Sequence, residues 1–237
     1  MPGPIQLFKN SLAIVSANFF LFLSILFIPI VVSFLTALFA PNKATGIMIT
    51  SESIVYVVLM FIYVVLSVLM TVALILAIND NSITAKEAYR RAWPYFWRYI
   101  GLSLLMSIIM MVGFLLLIIP GIILSVWFAF ATFVLVLENG AIVESLKKSR
   151  EYTRGKWWAI FGRLIAMSVF VLLLSMLIST ISVFLPNHVV TEALVTALTV
   201  LLTPIAVVYV YLLYKEVKTL PATTPEASVS FSPNSVA

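Results

Sequence analysis

Few residues in this chain could do chemistry. His188 is the sole histidine, Asp80 the sole aspartate, and there is no cysteine. One histidine cannot build a metal cluster, and without thiols there are no disulfides, thiolate ligands or cysteine nucleophiles. A Ser-His-Asp arrangement would need Asp80 beside His188, and the pattern of apolar runs sets them on opposite sides of a membrane. No HExxH, phosphate-binding loop, dinucleotide fingerprint or nucleophile elbow occurs. Glu138, Glu144 and Glu192 are the remaining acid–base candidates, and catalysis by them would require a cluster near one face with His188. Glu192 reads as a helix N-terminal carboxylate and His188 as a turn residue. The sequence therefore predicts no catalytic residues, no metal and no cofactor.

The residues that stand out are basic. Arg90, Arg91 and Arg98 lie in one short segment, and Lys147, Lys148, Arg150, Arg154 and Lys156 lie in another. Each group sits beside tryptophans, Trp93 and Trp97 in the first and Trp157 and Trp158 in the second. Basic side chains interleaved with aromatics at a membrane surface attract anionic phospholipid heads. The same residues also serve as topology anchors, and a protein partner could meet them. Nucleic acid is not expected, because no soluble basic face is evident.

The elements that must position these groups are membrane spans. The chain has 237 residues, 63% hydrophobic and only 10% charged, whereas soluble domains carry about 25% charged residues. Mean hydropathy is +1.17. No formal charge occurs from Tyr99 to Leu137, a run long enough for two crossings of about 20 residues each. Pro120-Gly121 at its middle predicts the turn between them. The fold class expected is an all-α, six-span polytopic bundle with interfacial elbow helices. The spans are read at roughly 15–39, 53–78, 99–119, 121–137, 157–185 and 189–214. The fourth is short enough that it must stand upright or begin before Pro120. Pro29 and Pro204 predict kinks, and Gly101, Gly113 and Gly121 predict close packing. The first run is too long for a signal-peptide core and is read as a retained span.

The elbows are read at 82–98 and 141–154, the first capped by Ser82 or Thr84. They align at an offset of 57 residues, Glu87-Ala88-Tyr89-Arg90-Arg91-Ala92 upon Glu144-Ser145-Leu146-Lys147-Lys148-Ser149. Leu7-Phe8-Lys9-Asn10-Ser11, in an N-terminal helix starting near Ile5, is a fainter third copy. That helix is expected to lay its apolar face in the membrane interface. Of the 14 basic residues only Lys43 falls opposite the termini and elbows, so the positive-inside rule places both termini in the cytoplasm. Residues 1–219 form the membrane domain. Residues 220–237, polar and proline-rich, read as a disordered tail.

The motifs Ile119-Pro120-Gly121, Glu138-Asn139-Gly140, Glu144 to Ser149, Thr153-Arg154-Gly155-Lys156-Trp157-Trp158 and Leu213-Tyr214 resemble the core of a broad prokaryotic family of polytopic membrane proteins. That family includes the membrane domain attached to some glycerophosphoryl diester phosphodiesterases, with stand-alone relatives of unknown function. The resemblance covers about 80–218. It implies the membrane part without the soluble phosphodiesterase barrel. The relatives' basic position after the Pro-Gly turn is filled here by Trp127-Phe128. Together these readings point to a non-catalytic membrane protein that binds lipids or a partner. The main alternative is a small transporter for a lipid-like or neutral solute, lined by the serines and threonines of the spans.

Overall fold

The structure is a computed structural model that describes residues 3–39, 51–182 and 188–219. The described residues form helices α1 (Pro4–Ala17), α2 (Phe19–Leu38), α3 (Ser51–Asn79), α4 (Ala85–Ala92), α5 (Phe96–Leu116), α6 (Ile118–Trp127), α7 (Ala131–Leu137), α8 (Ile142–Thr153), α9 (Trp157–Ser182) and α10 (His188–Thr219). A short 3₁₀ turn, Trp93–Tyr95, joins α4 to α5. Among the described residues six stretches are long and apolar enough to cross a bilayer, as expected for an all-α, six-span membrane protein. Most of the two connections expected between spans at 40–52 and 186–188, and the whole of the tail expected at 220–237, fall outside the described residues.

The bundle is not evenly packed. Helices α2, α3, α7 and α10 supply the centre, with Phe22, Ile25, Leu26, Val72, Leu74, Ile75, Val134, Val208, Tyr209, Leu213 and Tyr214 almost fully buried. Most of these lie at the ends of the spans next to the elbows. Helices α5 and α9 run along the outside with their apolar faces exposed, the surface a lipid environment covers. Helix α1 differs from the interfacial role expected of it. Leu7 and Ser11 are buried, and Phe8 packs edge-on against Phe170 of α9 at 4.4 Å. It is part of the bundle's wall.

Three boundaries depart from the sequence reading. The first span begins at Phe19, because the chain breaks at Asn18, whose side-chain amide donates to the Ile14 carbonyl at 3.1 Å. The turn between the third and fourth spans is at Leu117, the one extended residue there (φ −167°, ψ 147°), and not at Pro120-Gly121. Pro120 instead sits in the first turn of α6, where its missing N–H costs nothing because those donors have no helical partner. Gly121 serves packing: it abuts Phe114 and Gly113, and a Cβ on it would collide with the Phe114 ring. The fourth span is also interrupted. Helix α6 stops at Trp127 and α7 resumes at Ala131, so the crossing is two short helices in line.

The serines and threonines of the spans mostly bond back to their own helices. Ser33 donates to Ile30 O, Thr36 to Val32 O, Thr71 to Ser67 O and Ser125 to Ile122 O. The elbow–span contacts are different in kind. Pro29 cannot donate to the Ile25 carbonyl one turn back, which leaves that oxygen unsatisfied in an apolar surrounding. Tyr89 of α4 donates its hydroxyl to this carbonyl at 2.7 Å. The first span and the first elbow are thus fastened to each other through the defect that the proline creates.

That contact makes a checkable statement. Replacing Tyr89 by Phe should cost about 1–3 kcal/mol, the penalty of stranding a buried acceptor. In a Pro29→Ala background the carbonyl regains a helical N–H, and the same replacement should cost much less. Denaturant unfolding in mild detergent reads both; equal costs in the two backgrounds would contradict the assignment.

Candidate functional site

The first elbow begins at Thr84, whose hydroxyl accepts from Glu87 N–H at 3.4 Å, so Thr84 and not Ser82 is the cap. Ser82 closes a turn on Asp80 instead. The Glu87 carboxylate does not fold back to complete a capping box. It turns along the helix to Arg90 (2.7 Å) and Arg91 (2.9 Å), and Arg91 also reaches Asp80 at 3.5 Å. The second elbow repeats the ion pairing at the expected offset, although Glu144 also folds back to accept from the Ala141 N–H at 3.4 Å. Glu144 pairs with Lys148 at 2.9 Å, and Lys148 also reaches Glu138 at 3.6 Å. In both elbows the second basic residue therefore bridges the elbow's own glutamate and the acid that ends the preceding span. Ala88 and Ala92 in one, and Ser145 and Ser149 in the other, are the fully buried contact points.

The two copies differ in burial. Exposed ion pairs contribute only ~0.2–1 kcal/mol, and the first set is of that kind, with the Arg91 side chain 50% exposed. Glu138 is 13% exposed and belongs to a larger node. Its Oε1 accepts from the Tyr214 hydroxyl at 2.6 Å, the Tyr152 hydroxyl at 2.8 Å and Lys218 Nζ at 3.0 Å. Tyr214 and Lys218 come from α10, Tyr152 and Lys148 from α8. Burial on its own would push the Glu138 carboxyl up, but the bonds from Tyr214, Lys218 and Tyr152 outweigh it and bring it down from 4.5 to about 2. Burial and the Glu138 charge together push the Tyr152 phenol up to about 12. The sequence offers Glu138 as an acid–base candidate and as part of a shared motif, without its partners: Tyr152 and Tyr214 lie 14 and 76 residues on.

A second fastening holds the interrupted fourth span. The buried Ser149 hydroxyl donates to Trp127 O at 2.6 Å and accepts from Phe130 N–H at 3.2 Å. It supplies the partners that the gap between α6 and α7 removes. Helix α8 is thereby tied to the membrane helices on both sides of the gap.

These ties sort the basic candidates. Arg91 and Lys148 belong to structural ion pairs, and Arg98 donates to Asn139 Oδ1 at 2.6 Å, joining α5 to the turn after α7. Asn139 itself holds a left-handed backbone (φ 52°), a conformation asparagine tolerates better than most residues. Arg90 is exposed beside Glu87. Lys156 stands at the mouth of α9. The remaining three converge: Lys147, Arg150 and Arg154, with Glu151 and Trp127, line a basin of about 510 Å³. The Arg150 guanidinium lies 4.3 Å over the Trp127 ring. Among the described residues no three His, Cys, Asp or Glu side chains lie where they could hold one metal ion. Glu138 and Glu144 share Lys148 as a counter-ion, and the side chains of His188 and Glu192 lie outside the described residues.

The Glu138 node gives a pH signature. A carboxyl lowered in the folded state stabilises it fully above about pH 4.5, and that contribution drains away as pH falls toward 2. On the size of that shift the loss is on the order of 3 kcal/mol. Thermal unfolding in detergent between those pH values should show this acid limb in the parent chain and a flattened one in Glu138→Gln. Identical acid limbs would remove Glu138 as its source.

No curated protein and no solved structure matches this chain. A family model described as an uncharacterised protein family (UPF0259) matches residues 42–216, a range that takes in both elbows, the basin and Glu138. The chain, an integral membrane protein of six spans in which both elbows are fastened to the helical core, belongs to that family.

Proposed function

We propose that this protein is a non-catalytic membrane module whose elbows bind anionic phospholipid headgroups and present a surface to a protein partner. One observation carries the reading. The elbows are wired to the spans by Arg91, Arg98 and Lys148, while Arg90, Lys147, Arg150 and Arg154 are left on the outer side with Trp93, Trp97 and Trp158 exposed beside them. Indoles and cations at one level are the composition that headgroup depth selects. Both elbows and both termini are cytoplasmic in this reading, on the strength of the basic residues clustered there. The motif resemblance to the membrane domain of glycerophosphoryl diester phosphodiesterases supports a membrane role near phospholipids and carries no activity with it.

A transport reading has one observation in its favour. Ser33, Thr36, Tyr56, Tyr63 and Thr196 line, with Ala37 and Met60, a largely apolar recess of about 180 Å³ between α2, α3 and α10 that carries a few hydroxyls. The buried apolar residues at the elbow ends of the same helices close the way beyond it. Binding in a pocket open on one side fits that shape better than passage.

Two measurements test the proposal. The full chain in phosphatidylcholine nanodiscs doped with phosphatidylglycerol should retain the anionic lipid, and changing Arg90, Lys147, Arg150 and Arg154 together to Gln should weaken retention by at least about tenfold at low salt. Equal retention would reduce the elbows to topology anchors. Because the chain has no cysteine, single cysteines report side directly. A cysteine at Lys147 should resist a membrane-impermeant maleimide in intact cells and one at Lys43 should react; the reverse pattern would invert the proposed topology.

A further inference from the structure

The two elbows are copies in sequence and wiring, so a position-by-position comparison separates what anchoring requires from what the second elbow has added. At the offset of 57, Arg90 corresponds to Lys147, Trp93 to Arg150 and Trp97 to Arg154. The first elbow therefore presents one arginine, paired with Glu87, and two indoles that are 63% and 77% exposed. That is an anchor. The second presents three cations at the corresponding places. Topology could be set by the same charges scattered along the segment, and an anchor has no use for concavity. Here the cations are gathered around a basin.

The basin is built on rigid parts. Lys147, Arg150 and Glu151 stand at i, i+3 and i+4 on one face of α8, and Arg154 caps the C-terminal end of that helix. Lys148 points to the other side, into its pairs with Glu138 and Glu144. The Trp127 wall is held by Ser149, which accepts from and donates to the backbone on either side of the helix gap. Stacking on Trp127 occupies the flat face of the Arg150 guanidinium and leaves its N–H edge to donate, the geometry that grips phosphate oxygens in pairs. Lys147 and Arg154 have no ion-pair partner among the described residues. With Glu151 as the one carboxylate, the lining carries a net charge of two positives. A singly charged headgroup leaves one of them uncompensated; a doubly charged one does not. From Lys147 to Arg154 the helix advances roughly 10 Å, room for two phosphate groups side by side.

We infer that the second elbow, and not the first, carries a discrete site for a phospholipid headgroup with two negative charges, held by Lys147, Arg150 and Arg154 against Trp127. The inference rests on the proposed reading that the elbows lie at headgroup depth, and it adds selectivity to it. A membrane lipid is the occupant it commits to, because Trp158, beside the same elbow at the start of α9, is 78% exposed, and an exposed indole at the end of a span suits headgroup depth.

The test uses the full chain in phosphatidylcholine nanodiscs containing either phosphatidylglycerol, with one phosphodiester, or cardiolipin, with two, at equal total phosphate. Lipids retained after exchange are counted by native mass spectrometry. The site predicts a preference for cardiolipin of at least about tenfold per phosphate. The Lys147→Gln/Arg154→Gln variant should lose the preference, and the Arg90→Gln variant, altered at the equivalent place in the first elbow, should keep it. Far-ultraviolet circular dichroism of each variant checks that the fold is intact. Equal retention of the two lipids, both above phosphatidylcholine, would overturn this inference and leave the broader reading standing. No anionic preference at all would overturn both. A third arm adds soluble pyrophosphate. If it displaces cardiolipin at comparable concentration, the site is one for soluble phosphates and the commitment to lipid is wrong.

Discussion

A carboxylate taken most of the way out of water must be met by donors from somewhere, and Glu138 takes them from two directions. Two hydroxyls and two ammonium groups, from α8 and from the end of α10, converge on it. Hydrogen bonds to a charged acceptor contribute ~1.5–3 kcal/mol each, more than exposed ion pairs do. They also restrict geometry: the carboxylate can be satisfied only if the second elbow lies across the end of the last span. The elbow's orientation, and with it the side that Lys147, Arg150 and Arg154 face, follows from that requirement.

The first elbow is fastened by a different defect. There the unsatisfied group is the Ile25 carbonyl that Pro29 strands, and Tyr89 meets it. In the interrupted fourth span the gap after Trp127 is met by Ser149. In each case a break in the hydrogen bonding of a membrane helix, or a charge at its end, is repaired by a side chain from an elbow. Repair and attachment are the same contact. The elbows are consequently fixed parts of the membrane domain, and the basic residues not consumed in attachment are left on their outer side.

Hydropathy made the spans legible, because long uncharged runs have few other uses. Charge made the elbows legible, and the offset of 57 residues aligned Glu87 to Ala92 with Glu144 to Ser149; that Glu87–Arg91 and Glu144–Lys148 are equivalent ion pairs came from the structure. What the sequence concealed was of two kinds. Pro120-Gly121 reads as a turn by local chemistry, yet proline is equally at home in the first turn of a helix, and only the packing of Gly121 on Phe114 and Gly113 decides between them. Glu138, Tyr214 and Ser149 were visible as residues but not as partners, since their contacts span many positions and leave no periodic trace. Among the basic candidates the sequence could not separate those that attach from those that face outward. That distinction is made by where Glu138, Asp80 and Asn139 stand.

The most direct test of this account is hydrogen exchange of the full chain in nanodiscs, read separately for residues 85–92 and 142–153, before and after Glu138→Ala. If the Glu138 node holds the second elbow in place, exchange should rise across 142–153 while 85–92, fastened through Tyr89, stays protected. Unchanged protection across 142–153, or equal loss in both elbows, would contradict it.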